Sequence, residues 1–92
     1  MRVLVVEDDA DVINLLDAAL EARGASLVAA RTAAEMKARL AEGAPDAVLV
    51  DLSPIADDIA GALSALRRAA PEAALVLITG SAAGSAPVTA DD

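Results

Sequence analysis

Four short apolar runs divide this chain, and between successive runs the apolar residues recur at helical spacing. Residues 2–6 form a continuous apolar stretch rich in β-branched side chains, as expected of a strand covered on both faces. Ser26 to Ala30 and Ala47 to Val50 are shorter runs of the same kind, and Leu75 to Thr79 has the strongest strand propensity. After the first run, Val12, Ile13, Leu15, Leu16, Ala19 and Leu20 follow a helical period. Asp9 is placed to cap that helix and Gly24 to stop it. Thr32-Ala33-Ala34-Glu35 matches a capping box and opens a second helix that ends near Gly43-Ala44-Pro45. A third helix carries Ile59, Leu63 and Leu66 on one side and ends near Ala70, before Pro71. The resulting order, βαβαβαβ, predicts an α/β domain with a parallel sheet, right-handed crossovers and helices on both faces.

In a doubly wound sheet of strand order 2-1-3-4, the ends of strands 1 and 3 lie side by side at the switch point, where open α/β sheets bind ligands. Both of those strands run into acids: Glu7, Asp8 and Asp9 after the first, Asp51 after the third. Packed together, Glu7, Asp8 and Asp51 repel one another, and such clusters are rarely kept for stability alone. They call for a divalent cation, a proton or a reaction. Blander roles compete with this reading. Asp51 could cap the helix that follows, although Asp57 and Asp58 stand closer to its start. Asp8 could favour a helix dipole, a role that Asp9 fits better. Arg67-Arg68 reads as a solvated helix end.

Composition narrows the chemistry. With no Cys and no His, the chain offers no thiol chemistry, no thiolate metal site and no histidine phosphodonor. Without aromatic residues it cannot stack on bases or flavins. Its 25 alanines favour helix. A net charge of -8 repels phosphate backbones, so direct nucleic-acid binding is not expected. The apolar runs are too short to span a membrane, and the opening Met-Arg-Val-Leu-Val-Val is too short for a signal peptide. A soluble cytoplasmic domain over residues 1–80 is expected. Residues 81–92, which follow the small and polar Gly80-Ser81-Ala82-Ala83-Gly84-Ser85-Ala86-Pro87 stretch, read as a flexible tail.

Val5-Val6-Glu7-Asp8-Asp9, Asp51 and Thr79, at their places after strands 1, 3 and 4, resemble a response-regulator receiver domain of two-component signalling. The resemblance covers residues 1–80 and implies a flavodoxin-like fold. It implies that Asp51 is the phosphoacceptor, taking a phosphoryl group from a histidine kinase or phosphotransfer protein. By the same resemblance Asp8 and Asp51 bind Mg²⁺, Glu7 helps through water, the Ser53 backbone carbonyl is a further ligand, and the Thr79 hydroxyl holds a phosphoryl oxygen. A carboxylate nucleophile needs no base, so the missing His is no obstacle. Mg²⁺ prefers hard oxygen ligands of this kind. Such a domain is not an enzyme in the ordinary sense, since it would catalyse only its own phosphorylation.

The sequence departs from the family pattern in two places. Receivers usually carry Pro four positions after the acceptor; here Pro54 is three after, and the Gly that often follows appears only at Gly61. The family also continues past the fourth strand with a helix, a strand and a helix, and with a Lys that pairs with the phosphoryl group. Lys37 is the only lysine and is not at that place, and Val88-Thr89 is too short to replace the missing strand. A truncation after strand 4 would leave one sheet face covered by helix 1 alone and strand 4 as an open edge, which invites a homodimer through that face and edge. The second reading is therefore a degenerate or truncated module that acts in protein association without productive phosphorylation. A haloacid-dehalogenase-like phosphatase would need an Asp two positions after Asp51, where this chain has Ser53.

Overall fold

The protein is described by a computed structural model that covers residues 1–78 and the backbone of residues 88 and 89. Four parallel strands, β1 (Arg2–Val6), β2 (Ser26–Ala30), β3 (Ala47–Asp51) and β4 (Ala74–Ile78), lie in the order β2-β1-β3-β4. They alternate with α1 (Ala10–Glu21), α2 (Ala33–Glu42) and α3 (Ile59–Ala69), the last preceded by a 3-10 helix over Ser53–Asp58. This is the parallel α/β sheet that the alternation predicts, in the flavodoxin-like arrangement that the resemblance implies. Among the described residues no helix follows β4.

Polar residues set the helix starts. The Asp9 carboxylate accepts the Asp11 N–H at 2.9 Å, which satisfies one of the free donors of the first turn of α1. Gly24 takes φ +79° in the turn after α1, a left-handed conformation that favours glycine. At α2 the capping box is offset by one residue. Thr32 Oγ1 accepts the Glu35 N–H at 3.1 Å, but Glu35 Oε1 returns to the N–H of Arg31 at 3.0 Å rather than to that of Thr32. Asp58, not Asp51, caps α3, accepting the Gly61 N–H at 2.9 Å. A side chain on Gly61 would run into that same carboxylate, which explains a glycine inside the helix.

The main core lies between the sheet and the α2/α3 layer. Leu4, Val6, Val48, Val50 and Leu75 point to it from the strands and meet Met36, Leu40, Ile55, Ala62 and Leu66, all buried. Strand alternation sends Val3 and Val5 to the opposite face, where they are also buried, while Leu49, Val76 and Ile78 are only half-buried.

Three expectations are corrected. Ile59 does not share the buried stripe of α3: it is 37% exposed, and Ala62 and Leu66 carry the packing. Ile55, in the preceding 3-10 helix, fills the core at that end instead, so Ile59, in the first turn, is left outside. Arg67 is not merely a solvated helix end; its Nη1 donates to the Ala73 carbonyl at 2.8 Å and ties the end of α3 to the approach to β4. The edge of β4 is not entirely open, because Val88–Thr89 form a two-residue strand, β5, antiparallel to Val76 and Leu77. Even two residues can satisfy part of the free backbone of an edge strand. The rest of the expected 81–92 tail lies outside the described residues.

Candidate functional site

The parallel register decides which acids meet. Val6 stands beside Val50 in the central pair of strands, so the residues that leave β1 emerge next to the end of β3. Glu7 follows β1 directly, and its N–H donates to the Ala30 carbonyl at 2.9 Å, extending the pairing with β2 by one step. Asp51 is the last residue of β3, level with Ile78 of β4. Glu7, Asp8 and Asp51 each present a carboxylate oxygen within 4.8 Å of the others. Asp9, although adjacent in sequence, turns away to cap α1.

The three acids differ in environment. Glu7 and Asp51 are 7% and 6% exposed, whereas Asp8 faces solvent. Burial pushes the Glu7 carboxyl up from 4.5 to about 7; the hydrogen bond from the Asp9 N–H opposes this, while hydrogen bonding to Asp51 and the charges of Asp51 and Asp8 add to it. That opposing bond runs from the Asp9 N–H to Glu7 Oε1 at 3.2 Å. Asp51 Oδ1 is buried and has no hydrogen-bond partner among the described residues. A buried polar atom left in this state normally answers to an ion, a water or a chemical role. The oxygen-only donor set and the close grouping of three acids fit a divalent cation such as Mg²⁺, which takes one or two carboxylates and keeps several waters.

The surroundings of Asp51 explain the shifted proline. Ser53 opens the 3-10 helix two residues beyond Asp51, and Pro54 stands in its first turn. The helix is kinked at Ile55 (φ -112°, ψ 16°), whose side chain drops into the core. The loop is thus held by the Ile55 anchor and the Asp58 cap. A small cavity of about 120 Å³ borders this segment, lined by residues that include Lys37, Pro54, Ile55, Asp57 and Asp58. None of the three acids lines it. The acids lie together at the ends of β1 and β3, Glu7 and Asp51 buried and Asp8 facing solvent, a donor set suited to an ion.

Of the residues singled out from sequence, Glu7, Asp8 and Asp51 come together, Ser53 follows Asp51 by two positions in the chain, and Thr79 lies outside the described residues. One residue at the rim was not singled out. Arg31, the first residue beyond β2, donates from Nη2 to the Asp8 carbonyl at 3.0 Å. Its position just past the carboxyl end of the strand that neighbours β1 was the available signal.

Comparison with known proteins gives a consistent picture. A family model described as the response regulator receiver domain matches residues 3–90. No curated protein matches the chain. Among solved structures, a sensor protein from Polaromonas sp. JS666 is 32% identical with a TM-score of 0.71, over 83% of this chain and 62% of the other. A structure described as a transiently phosphorylated "switch" in bacterial signal transduction is 27% identical with a TM-score of 0.72, over 85% of this chain and 63% of the other. A chain from the complex of histidine kinase ThkA with response regulator protein TrrA shares the fold at 23% identity and a TM-score of 0.73, over 90% of this chain and 72% of that one. The chain thus spans under two thirds of the length of the first two. No helix among the described residues is long and apolar enough to cross a membrane.

Proposed function

The chain belongs to the response regulator receiver domain family of two-component signalling, and from that premise we propose that Asp51 accepts a phosphoryl group from a phosphohistidine with the help of Mg²⁺. The observation that carries this reading is Asp51, whose buried Oδ1 has no partner among the described residues and whose carboxylate lies within 4.8 Å of those of two further acids. The relative described as transiently phosphorylated supports it.

An Asp51 oxygen attacks phosphorus, the new O–P bond replaces the P–N bond, and the imidazole nitrogen leaves with the electron pair of the broken bond. No base is required, because the nucleophile is already a carboxylate. Asp8, Asp51 and the Ser53 backbone carbonyl would hold Mg²⁺, with Glu7 helping through water, and the Thr79 hydroxyl would donate a hydrogen bond to a phosphoryl oxygen. Bound Mg²⁺ supplies positive charge against the phosphoryl oxygens during transfer. The domain acts as a phosphoacceptor rather than a turnover enzyme. Its partner is a histidine kinase or phosphotransfer protein in the bacterial cytoplasm. The net charge of -8 argues against direct contact with nucleic acid.

A second reading, association without productive phosphorylation, is favoured by one observation: Leu49, Val76 and Ile78 form a half-buried apolar strip on the face opposite the main core. Incubation with Mg²⁺ and acetyl phosphate, read by intact mass, separates the two. A single phosphate adduct that disappears in Asp51→Asn supports the first reading. The absence of an adduct, together with a stable dimer in light scattering, supports the second.

A further inference from the structure

Resting on the reading of Glu7, Asp8 and Asp51 as a Mg²⁺ site, we infer that Arg31 is a positioning residue for that site. It fixes the loop carrying Asp8 by a side-chain hydrogen bond from the end of a different strand. Three of the hydrogen bonds that hold the loop after β1 bear on the placing of Asp8. The Glu7 N–H is bound to the Ala30 carbonyl at 2.9 Å, and the Asp9 N–H is bound to Glu7 Oε1 at 3.2 Å. The third, Arg31 Nη2 to the Asp8 carbonyl at 3.0 Å, is provided to Asp8 itself by a side chain from beyond a different strand. Together with the Ala30 contact, it ties the loop to β2 on both sides of the Glu7-Asp8 peptide.

Arg31 is itself built on a rigid base. Its N–H donates to Glu35 Oε1 at 3.0 Å, and the Glu35 N–H is in turn bound to Thr32 Oγ1 at 3.1 Å. The offset of the capping box therefore has a use. Returning Glu35 to Arg31 rather than to Thr32 fixes the backbone from which the guanidinium reaches the loop. Asp8 is the exposed acid of the three, so little packing holds it in place. A hydrogen bond to its own carbonyl restricts the backbone that aims its carboxylate. Partners that hydrogen-bond the ligating groups themselves typically change metal affinity by about 10–100-fold when removed, and a bond to a ligand's backbone belongs at the low end of that range.

Position and charge predict opposite outcomes, which makes the inference testable. A guanidinium near the acids repels a dication, so a purely electrostatic role would tighten Mg²⁺ binding on its removal. A positioning role would weaken it. The experiment is Mg²⁺ titration by calorimetry, with no phosphodonor, on the wild type, Arg31→Ala and Arg31→Lys, with thermal melts of each apo protein. The expected result is a Kd raised about tenfold in Arg31→Ala, and partly recovered in Arg31→Lys, which keeps a cationic donor one bond shorter. An unchanged or lowered Kd in Arg31→Ala overturns the inference, including the case where only its melting temperature falls. If the wild type binds no Mg²⁺, the metal site itself is refuted and this inference falls with it; if the wild type binds and Arg31→Ala binds equally well, the inference alone fails.

Discussion

Asp51→Asn should make the metal-free protein more stable, and by an amount that depends on pH. The ordinary Glu7 carboxyl titrates at 4.5, and in the fold it is pushed up to about 7, first by burial and further by Asp51 and Asp8. Since the native state holds the Glu7 proton more tightly than the unfolded chain, this contribution is fully present below pH 4.5 and is lost as pH rises through about 7. At 1.36 kcal/mol per pKa unit, the loss is roughly 3 kcal/mol. The carboxylate oxygens of Glu7 and Asp51 lie within 4.8 Å. A charge pair at that distance repels by about 1 kcal/mol in bulk water and about 3 kcal/mol at an effective dielectric constant near 20. Removing the Asp51 charge leaves the larger cause, burial, in place, so the variant should recover about 1 kcal/mol at pH 8. That is about 4–8 °C in melting temperature for a domain of this size. Thermal melts by circular dichroism at pH 5 and pH 8, in chelator, would measure it. The gain should be clearly larger at pH 8 than at pH 5, because Glu7 is protonated at pH 5 and feels little repulsion. A variant whose stability tracks the wild type in parallel between the two pH values, or falls below it at pH 8, would refute the account of the cluster.

The same electrostatics predict that millimolar Mg²⁺ raises the wild-type melting temperature at pH 8, since a ligand bound only by the native state stabilises it. The gain should shrink in Asp8→Asn, and equal shifts in the two proteins would place the ion elsewhere. At α3, Gly61→Ala should fail to show the stabilisation of about 1 kcal/mol that helix propensity alone would give, because the new methyl group displaces the Asp58 cap, itself worth about 1 kcal/mol. In an Asp58→Ala background the same change should stabilise the protein, and additive effects in urea denaturation would contradict this coupling.

Much of this fold is written in local pattern. The apolar runs of β1 and β4 and the helical spacing after Asp9 need no partner to be read, and their alternation leaves a parallel sheet as the economical solution. The caps at Asp9 and Thr32 were legible because a side chain two or three residues from a free N–H can reach it within any helix start. The candidate acids could also be named, since a strand that runs into Asp places that Asp at the rim of the sheet.

Other features depend on contacts that no local window contains. Ile59 and Ile55 both suit a core, but only the kink of the 3-10 helix decides that Ile55 is buried and Ile59 left outside. Arg67 is a helix-end cation by sequence and a tie to Ala73 in the fold. The pairing of Val88–Thr89 with β4 is likewise a matter of where the chain returns, not of its strand propensity. Sequence alone thus determined the alternating architecture and the identity of the acids, because periodicity and residue chemistry act over a few neighbouring positions. Tertiary structure alone decided that two of those acids are buried, that Asp51 Oδ1 has no partner among the described residues, and that Arg31 reaches Asp8, because burial and hydrogen bonding are set by residues distant in the chain.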